Sequence, residues 1–186
     1  MYRNLLLGGA LSLALLSWPA STASKQSTVN FPAVRQIVCA GGKGTGFRIA
    51  DGRWVSVAHV TNNLACSIHG MPLGAKDEPG DFSITDYEGK AGGFPVNCEG
   101  FKPGEYYFAI GYAGGFEWQT MTRHMATYKL SDDGYRILLG SPTVIPGMSG
   151  GPILNAKGEV VGTVNMYSKI YPLSFSRELK DTSLCK

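Results

Sequence analysis

Hydrophobic positions along this chain fall into short runs, some continuous and some alternating with polar residues, separated by glycine, proline and polar clusters. Period-two alternation and brief apolar runs between turn signals predict β-strands. The pattern places strands at Ile37 to Cys39, Gly44 to Ile49, Trp54 to Ala58, Ala65 to Ile68 and Phe82 to Asp86. A second set is expected at Tyr106 to Ile110, Trp118 to Tyr128, Tyr135 to Leu139, Gly151 to Leu154 and Glu159 to Asn165. Ala50-Asp51-Gly52-Arg53 and Asn155-Ala156-Lys157-Gly158 have the polar, glycine-bearing make-up of hairpin connections. No long amphipathic helix is predicted, only a short helical segment over Phe175 to Lys180. Glu99-Gly100-Phe101-Lys102-Pro103-Gly104 reads as a linker. It divides the chain into two β units, 24–99 and 100–186.

Twenty-five glycines and ten prolines strengthen the all-β reading, because the chain must turn often. One stretch stands outside it. Arg3, the apolar run Leu5 to Leu16 and the small residues Ala20, Ser21 and Ala23 have the order of an export signal, with cleavage expected between Ala23 and Ser24. The apolar run is shorter than the roughly 20 residues a spanning helix needs. No stable membrane association is therefore expected after cleavage, and the protein should be secreted or periplasmic. Loss of Arg3 leaves 16 basic against 14 acidic side chains from the original 17 and 14. That balance gives no reason to expect a nucleic-acid partner.

Export also bears on the cysteines. Cys39, Cys66, Cys98 and Cys185 all follow the leader, and none lies in a CxxC pair, so disulfides are favoured over a metal site in an oxidising compartment. Of the three connectivities, Cys66 with Cys98 and Cys39 with Cys185 is favoured, since the first bridge would tie down the segment that holds Asp81. The other two stay open.

The most informative string is Pro146-Gly147-Met148-Ser149-Gly150-Gly151-Pro152-Ile153. A serine hydroxyl is a weak nucleophile at neutral pH and needs a base and oxyanion donors. Glycines around Ser149 permit a sharp turn in which the amides of Gly147 and Ser149 converge. The ordinary alternative is a glycine-rich turn with a solvent-facing serine. Trp54-Val55-Ser56-Val57-Ala58-His59 ends an apolar strand on a histidine, a rigid mount for a general base. His69, in a turn, and His124, in an alternating strand, read as surface or packing residues. Asp81 opens the strand Phe82-Ser83-Ile84 and is the candidate acid that fixes the imidazole tautomer. Asp77 lies in a polar turn and Asp86 follows the strand; they are its competitors.

Together, Gly44-Thr45-Gly46-Phe47, Val57-Ala58-His59, Asp81-Phe82-Ser83-Ile84 and Gly147-Met148-Ser149-Gly150-Gly151-Pro152, in that order, resemble the trypsin/chymotrypsin family of serine peptidases. Val160-Val161-Gly162-Thr163-Val164-Asn165 is similar to the family strand that lines the substrate cleft. The resemblance implies two perpendicular six-stranded antiparallel barrels, with His59 and Asp81 from the first and Ser149 from the second. It implies a secreted endopeptidase that cleaves polypeptides through an acyl-enzyme on Ser149, without metal or cofactor, as a monomer. Its substrate pocket would draw on Thr143, Val164, Asn165, Met166 and Tyr167. Thr143 at the floor lacks the carboxylate of a Lys/Arg-selective pocket, and Met166 and Tyr167 would narrow the wall, so a small or uncharged residue is expected before the scissile bond. Val164 stands where Glu-preferring relatives have a histidine.

Met148 occupies the place of the aspartate that, in digestive members, pairs with a new N-terminus. Together with the missing Ile-Val-Gly-Gly-like start, this resembles the shorter bacterial and viral members, which need no such cut. Two rival readings share the same residues: a peptidase fold kept as a silent binding protein, and an esterase using the same three groups. Mass spectrometry of the protein recovered outside the cytoplasm is expected to find Ser24 at its N-terminus; a product that keeps Met1 would refute the leader.

Overall fold

The structure, a computed structural model, describes residues 31–62, 65–85, 91–129, 135–140, 144–167 and 173–186. The expected leader and cleavage point, together with Asp86 and Thr143, lie outside the described residues. The first unit is a seven-stranded antiparallel sheet of β1 (Val34–Cys39), β2 (Gly42–Arg48), β3 (Trp54–Val57), β4 (Cys66–Ile68), β5 (Met71–Pro72), β6 (Ala75–Glu78) and β7 (Phe82–Thr85). Its order is β5-β4-β1-β2-β3-β7-β6, and among the described residues it does not close. The second unit is a closed barrel of β8 (Tyr106–Gly111), β9 (Thr120–Lys129), β10 (Tyr135–Leu139), β11 (Pro152–Leu154), β12 (Val160–Tyr167) and β13 (Leu173–Glu178). A single α-helical turn, α1 (Ala58–Thr61), follows β3.

The all-β expectation therefore holds, while the expectation of two six-stranded barrels is corrected to one closed barrel and one open, half-barrel sheet. The expected helix over Phe175 to Lys180 is also corrected. Its first part belongs to β13, and only a 3₁₀ turn over Leu179–Asp181 follows. On β13 it is Ser174, Ser176 and Glu178 that are buried, so the inward face is polar and gives no apolar alternation to read. β5 and β6 were not expected either; both are short, polar or exposed edge strands.

Three apolar clusters hold these parts together. One lies inside the open sheet (Ile37, Cys39, Trp54, Cys66, Ile68) and one inside the barrel, with Met148, Ile153 and Val164 among its members. The third joins the units: Val34, Phe47, Val55, Phe82 and Ile84 meet Ile110, Tyr112, Leu154, Val160 and Leu179. Ahead of the expected linker, Phe94 bridges to Ile49 and Val96 to Val160.

The disulfides differ from the favoured connectivity: Cys39 pairs with Cys66 and Cys98 with Cys185. Cys39 and Cys66 stand directly opposite each other on the neighbouring strands β1 and β4, which puts their Cβ atoms on one face. Cys98 instead fastens the crossover to the C-terminal 3₁₀ turn at Ser183–Cys185.

Among the described residues, charge is buried at one place in the barrel wall. Glu178, 1% exposed, accepts from Arg136 at 2.7 Å and from the Phe101 amide at 3.0 Å, and pairs with Lys180 at 2.6 Å. Burial pushes its carboxyl up, but the bonds from Lys180, Arg136 and Phe101 outweigh this and hold it below the usual carboxylate range. A carboxyl with a depressed folded pKa stabilises the fold above its unfolded value, about 4.3, and loses that contribution as pH falls through the folded value. Denaturant titrations from pH 7 downward should therefore show an acid-side loss of stability that Glu178→Gln reduces. Glu178→Ala should cost about 3–5 kcal/mol at pH 7 by leaving Arg136 buried without its partner.

Candidate active site

The apolar strand β3 ends in α1, which carries His59 to the surface while Val57 stays in the protein interior. Asp81 sits at the turn into β7, with φ of 66°, a left-handed conformation uncommon for a residue with a side chain. That turn places both of its polar ends against α1. The Asp81 carbonyl accepts from the Ala58 amide at 3.0 Å, and Oδ1 accepts from the His59 amide at 2.8 Å. Oδ2 meets His59 Nδ1 at 2.7 Å. With Nδ1–H donating to the carboxylate, the imidazole keeps Nε2 free to take a proton. Partial burial raises the Asp81 carboxyl, but the His59 ring and amide and the Asn165 amide hold it below its ordinary value. Asp77 is exposed on β6, 3.5 Å from the Thr61 hydroxyl, and does not reach His59 among the described contacts.

Sequence reasoning missed the part of Asn165. A bulge in β12 falls between Val164 and Met166, leaving Asn165 as the extra residue opposite β13. Its side chain is thereby re-aimed across the unit boundary, and Nδ2 donates to Asp81 Oδ2 at 2.9 Å. Its Oδ1 accepts from Thr163 Oγ1 at 3.1 Å, which fixes the amide orientation. Its backbone carbonyl accepts from Ser149 Oγ at 3.3 Å. Of the other expected pocket residues, Val164 has its side chain inside the barrel core and Met166 is 45% exposed. Tyr167 lies at the end of β12.

Ser149 sits on a turn held from three sides. Met148 is fully buried in the barrel cluster and anchors it from below. The Gly150 amide donates to Val164 O at 2.7 Å, and the Gly114 amide donates to Pro146 O at 2.6 Å. Because a trans peptide points its N–H opposite its C=O, the Gly147 N–H faces away from Gly114. Among the described residues, neither that amide nor the Ser149 amide donates to a protein acceptor, whereas Met148 and Gly150 both do. Gly147 has φ of 91°, and a Cβ there would come within 2.3 Å of Tyr112 O, so the turn requires glycine.

The third support is Thr45 on β2, fully buried, from the opposite unit. Its amide donates to Ser149 O at 2.8 Å, its hydroxyl donates to Gly147 O at 2.7 Å, and the same oxygen accepts from the Tyr112 amide at 3.0 Å. The result is one cleft of about 280 Å³ lined by His59 and Val60 on one side, Pro146, Gly147 and Ser149 on the other, and Gly41, Gly42 and Lys43 at its end. Among the described residues Ser149 Oγ makes no hydrogen bond to His59; its partner is Asn165 O.

Residues 75–162 match the family model described as a trypsin-like peptidase domain. The chain is 33% identical over 137 residues to a periplasmic serine endoprotease of the DegP-like type from Ectopseudomonas mendocina, covering 64% of this chain and 28% of that protein. It is 30% identical over 143 residues to a Synechocystis protein named for serine protease activity, HhoB, covering 65% and 33%. The chain thus spans about a third of the length of the curated relatives it matches. Among solved structures, it is similar to the Rv3671c protease of M. tuberculosis. The active form gives a TM-score of 0.64 at 21% identity, covering 95% of this chain and 89% of that one. The inactive form gives 0.62 at 24% identity, covering 79% and 83%.

Thr45→Val, which keeps the shape and removes the hydroxyl, should leave Gly147 O and the Tyr112 amide unpaired in the interior. The expected loss is about 1–3 kcal/mol for each group left unpaired, read by chemical denaturation; an unchanged midpoint would mean that the turn stands without Thr45.

Proposed function

From its membership of the trypsin/chymotrypsin-like serine peptidase family, we propose that this protein is an exported serine endopeptidase in which Ser149, His59 and Asp81 cleave polypeptides. The observation that carries the proposal is the fixed His59–Asp81 pair, at 2.7 Å, facing Ser149 across one cleft. Ser149 Oγ attacks the peptide carbonyl as His59 Nε2 takes its proton; the tetrahedral oxyanion is received by the Gly147 and Ser149 amides. Collapse expels the amine, protonated by His59, and leaves an acyl-enzyme that water hydrolyses by the same steps. To begin, the Ser149 hydroxyl turns from Asn165 O toward His59, a change of side-chain rotamer. Asn165 acts as a positioning residue, since it holds the carboxylate oxygen that also holds the imidazole.

The same proposal includes a removable leader at residues 1–23, units at 24–99 and 100–186, and action as a monomer. The pocket before the scissile bond draws on Thr143 and the edge formed by Asn165, Met166 and Tyr167, and takes a small or uncharged side chain. One observation favours a second reading: the Ser149 hydroxyl rests on Asn165 O, as it would in a silent binding protein that kept the fold.

A fluorophosphonate probe separates the two. Labelling of the leader-free, disulfide-bonded protein is expected, with loss in Ser149→Ala and His59→Ala. Absence of labelling in folded protein moves the silent reading to the front. Asp81→Asn should leave the fold intact and lower turnover by about ten-thousand-fold, the scale of a wrong imidazole tautomer. A near-normal rate would take the orienting role away from Asp81.

A further inference from the structure

The open sheet leaves a second cavity that shares no lining residue with the cleft. It measures about 380 Å³ and is lined by Arg35 of β1, Arg48 at the end of β2, Trp54 at the start of β3, and His69 and Met71 of the β4–β5 hairpin, with Pro32 and Gly52 at its rim. Trp54 also belongs to the apolar cluster inside the sheet, so the cavity is the mouth of that cluster.

Its chemistry is unbalanced. Two guanidinium groups and an imidazole line it, and no carboxylate does so among the described residues. Elsewhere Arg53 meets Asp51 and Arg136 meets Glu178, but neither Arg35 nor Arg48 meets a carboxylate among the described residues. Arg35 is held in place: Nη1 donates to Val34 O at 3.0 Å and to Phe31 O at 3.3 Å, and Nε donates to His69 Nε2. Arg48 lies 5.8 Å from the centre of the Trp54 ring, and its buried Nε has no hydrogen-bond partner among the described residues. A buried donor is ordinarily paired.

His69 adds a separate observation. It takes φ of 52° ahead of Gly70 at 74°, the paired left-handed turn for which asparagine or aspartate is the favoured first residue. A histidine there is held in an unfavourable conformation while its ring accepts from Arg35.

We propose that this cavity binds a small organic carboxylate with an apolar body. The carboxylate takes the Arg48 guanidinium and the remaining Nη2 of Arg35 through charge-assisted bonds, while the apolar body lies on Trp54 and Met71. The volume lies in the range of small-ligand sites. Nothing in this proposal depends on Ser149 being active.

The test is calorimetric titration of the leader-free protein with phenylacetate and, side by side, with its neutral isostere phenylacetamide. Phenylacetate is expected to bind in the millimolar range or tighter and phenylacetamide at least about tenfold more weakly, because charge-assisted bonds carry the difference. Arg48→Met should weaken phenylacetate by about tenfold or more, while Arg53→Gln, outside the cavity, should leave it unchanged. Thermal unfolding checks each variant, and Arg48→Lys and Arg35→Gln stand in if Arg48→Met does not fold. Equal binding of the two compounds, insensitivity to every Arg35 and Arg48 variant, or no phenylacetate binding would each overturn the proposal.

Discussion

Thr45 is where the two halves of this molecule become one site. Every polar atom it has is engaged: the amide on Ser149 O, the hydroxyl between Gly147 O and the Tyr112 amide, and the carbonyl accepting from Ser56 Oγ at 2.8 Å. The residue is fully buried, so each bond is made where an unmade one would be costly. The turn that carries Ser149 belongs to the barrel, but its curvature is set by a strand of the open sheet. Close packing around it leaves no room for side chains: a Cβ on Gly150 would sit 2.2 Å from Thr45 O.

A second tie crosses the same boundary in the other direction. Asp81 is a residue of the open sheet, yet one of its oxygens is shared between His59 of its own unit and Asn165 of the barrel. The β12 bulge makes this possible, since a regular strand would turn Asn165 elsewhere. Beneath both ties lies the joint apolar core of Val34, Phe47, Phe82, Ile110, Tyr112 and Val160. Such a core resists sliding, and the distances within the cleft inherit its rigidity.

The units differ in how they treat their edges. The barrel closes, leaving no unpaired strand, whereas the sheet ends on β5 and β6, which are short and largely exposed. On the open sheet, the Arg35, Arg48 and Trp54 side chains line a cavity.

The sequence by itself determined the all-β class, most of the strands, and the three strings bearing His59, Asp81 and Ser149, because alternation, turn chemistry and a glycine-framed serine are local signals. It did not determine β13, whose buried Ser174, Ser176 and Glu178 carry no apolar pattern, nor the closure of one unit and not the other. The disulfide partners were equally hidden, for Cys39 faces Cys66 only once β1 and β4 are paired in register. Asn165 read as a pocket residue and Thr45 as part of a hairpin string, and neither reading showed a bond to Asp81 or to the Ser149 turn. Only the tertiary structure gave them partners, because a hydrogen bond between residues far apart in the chain exists when packing brings donor and acceptor within about 3 Å, and no spacing in the sequence encodes that distance.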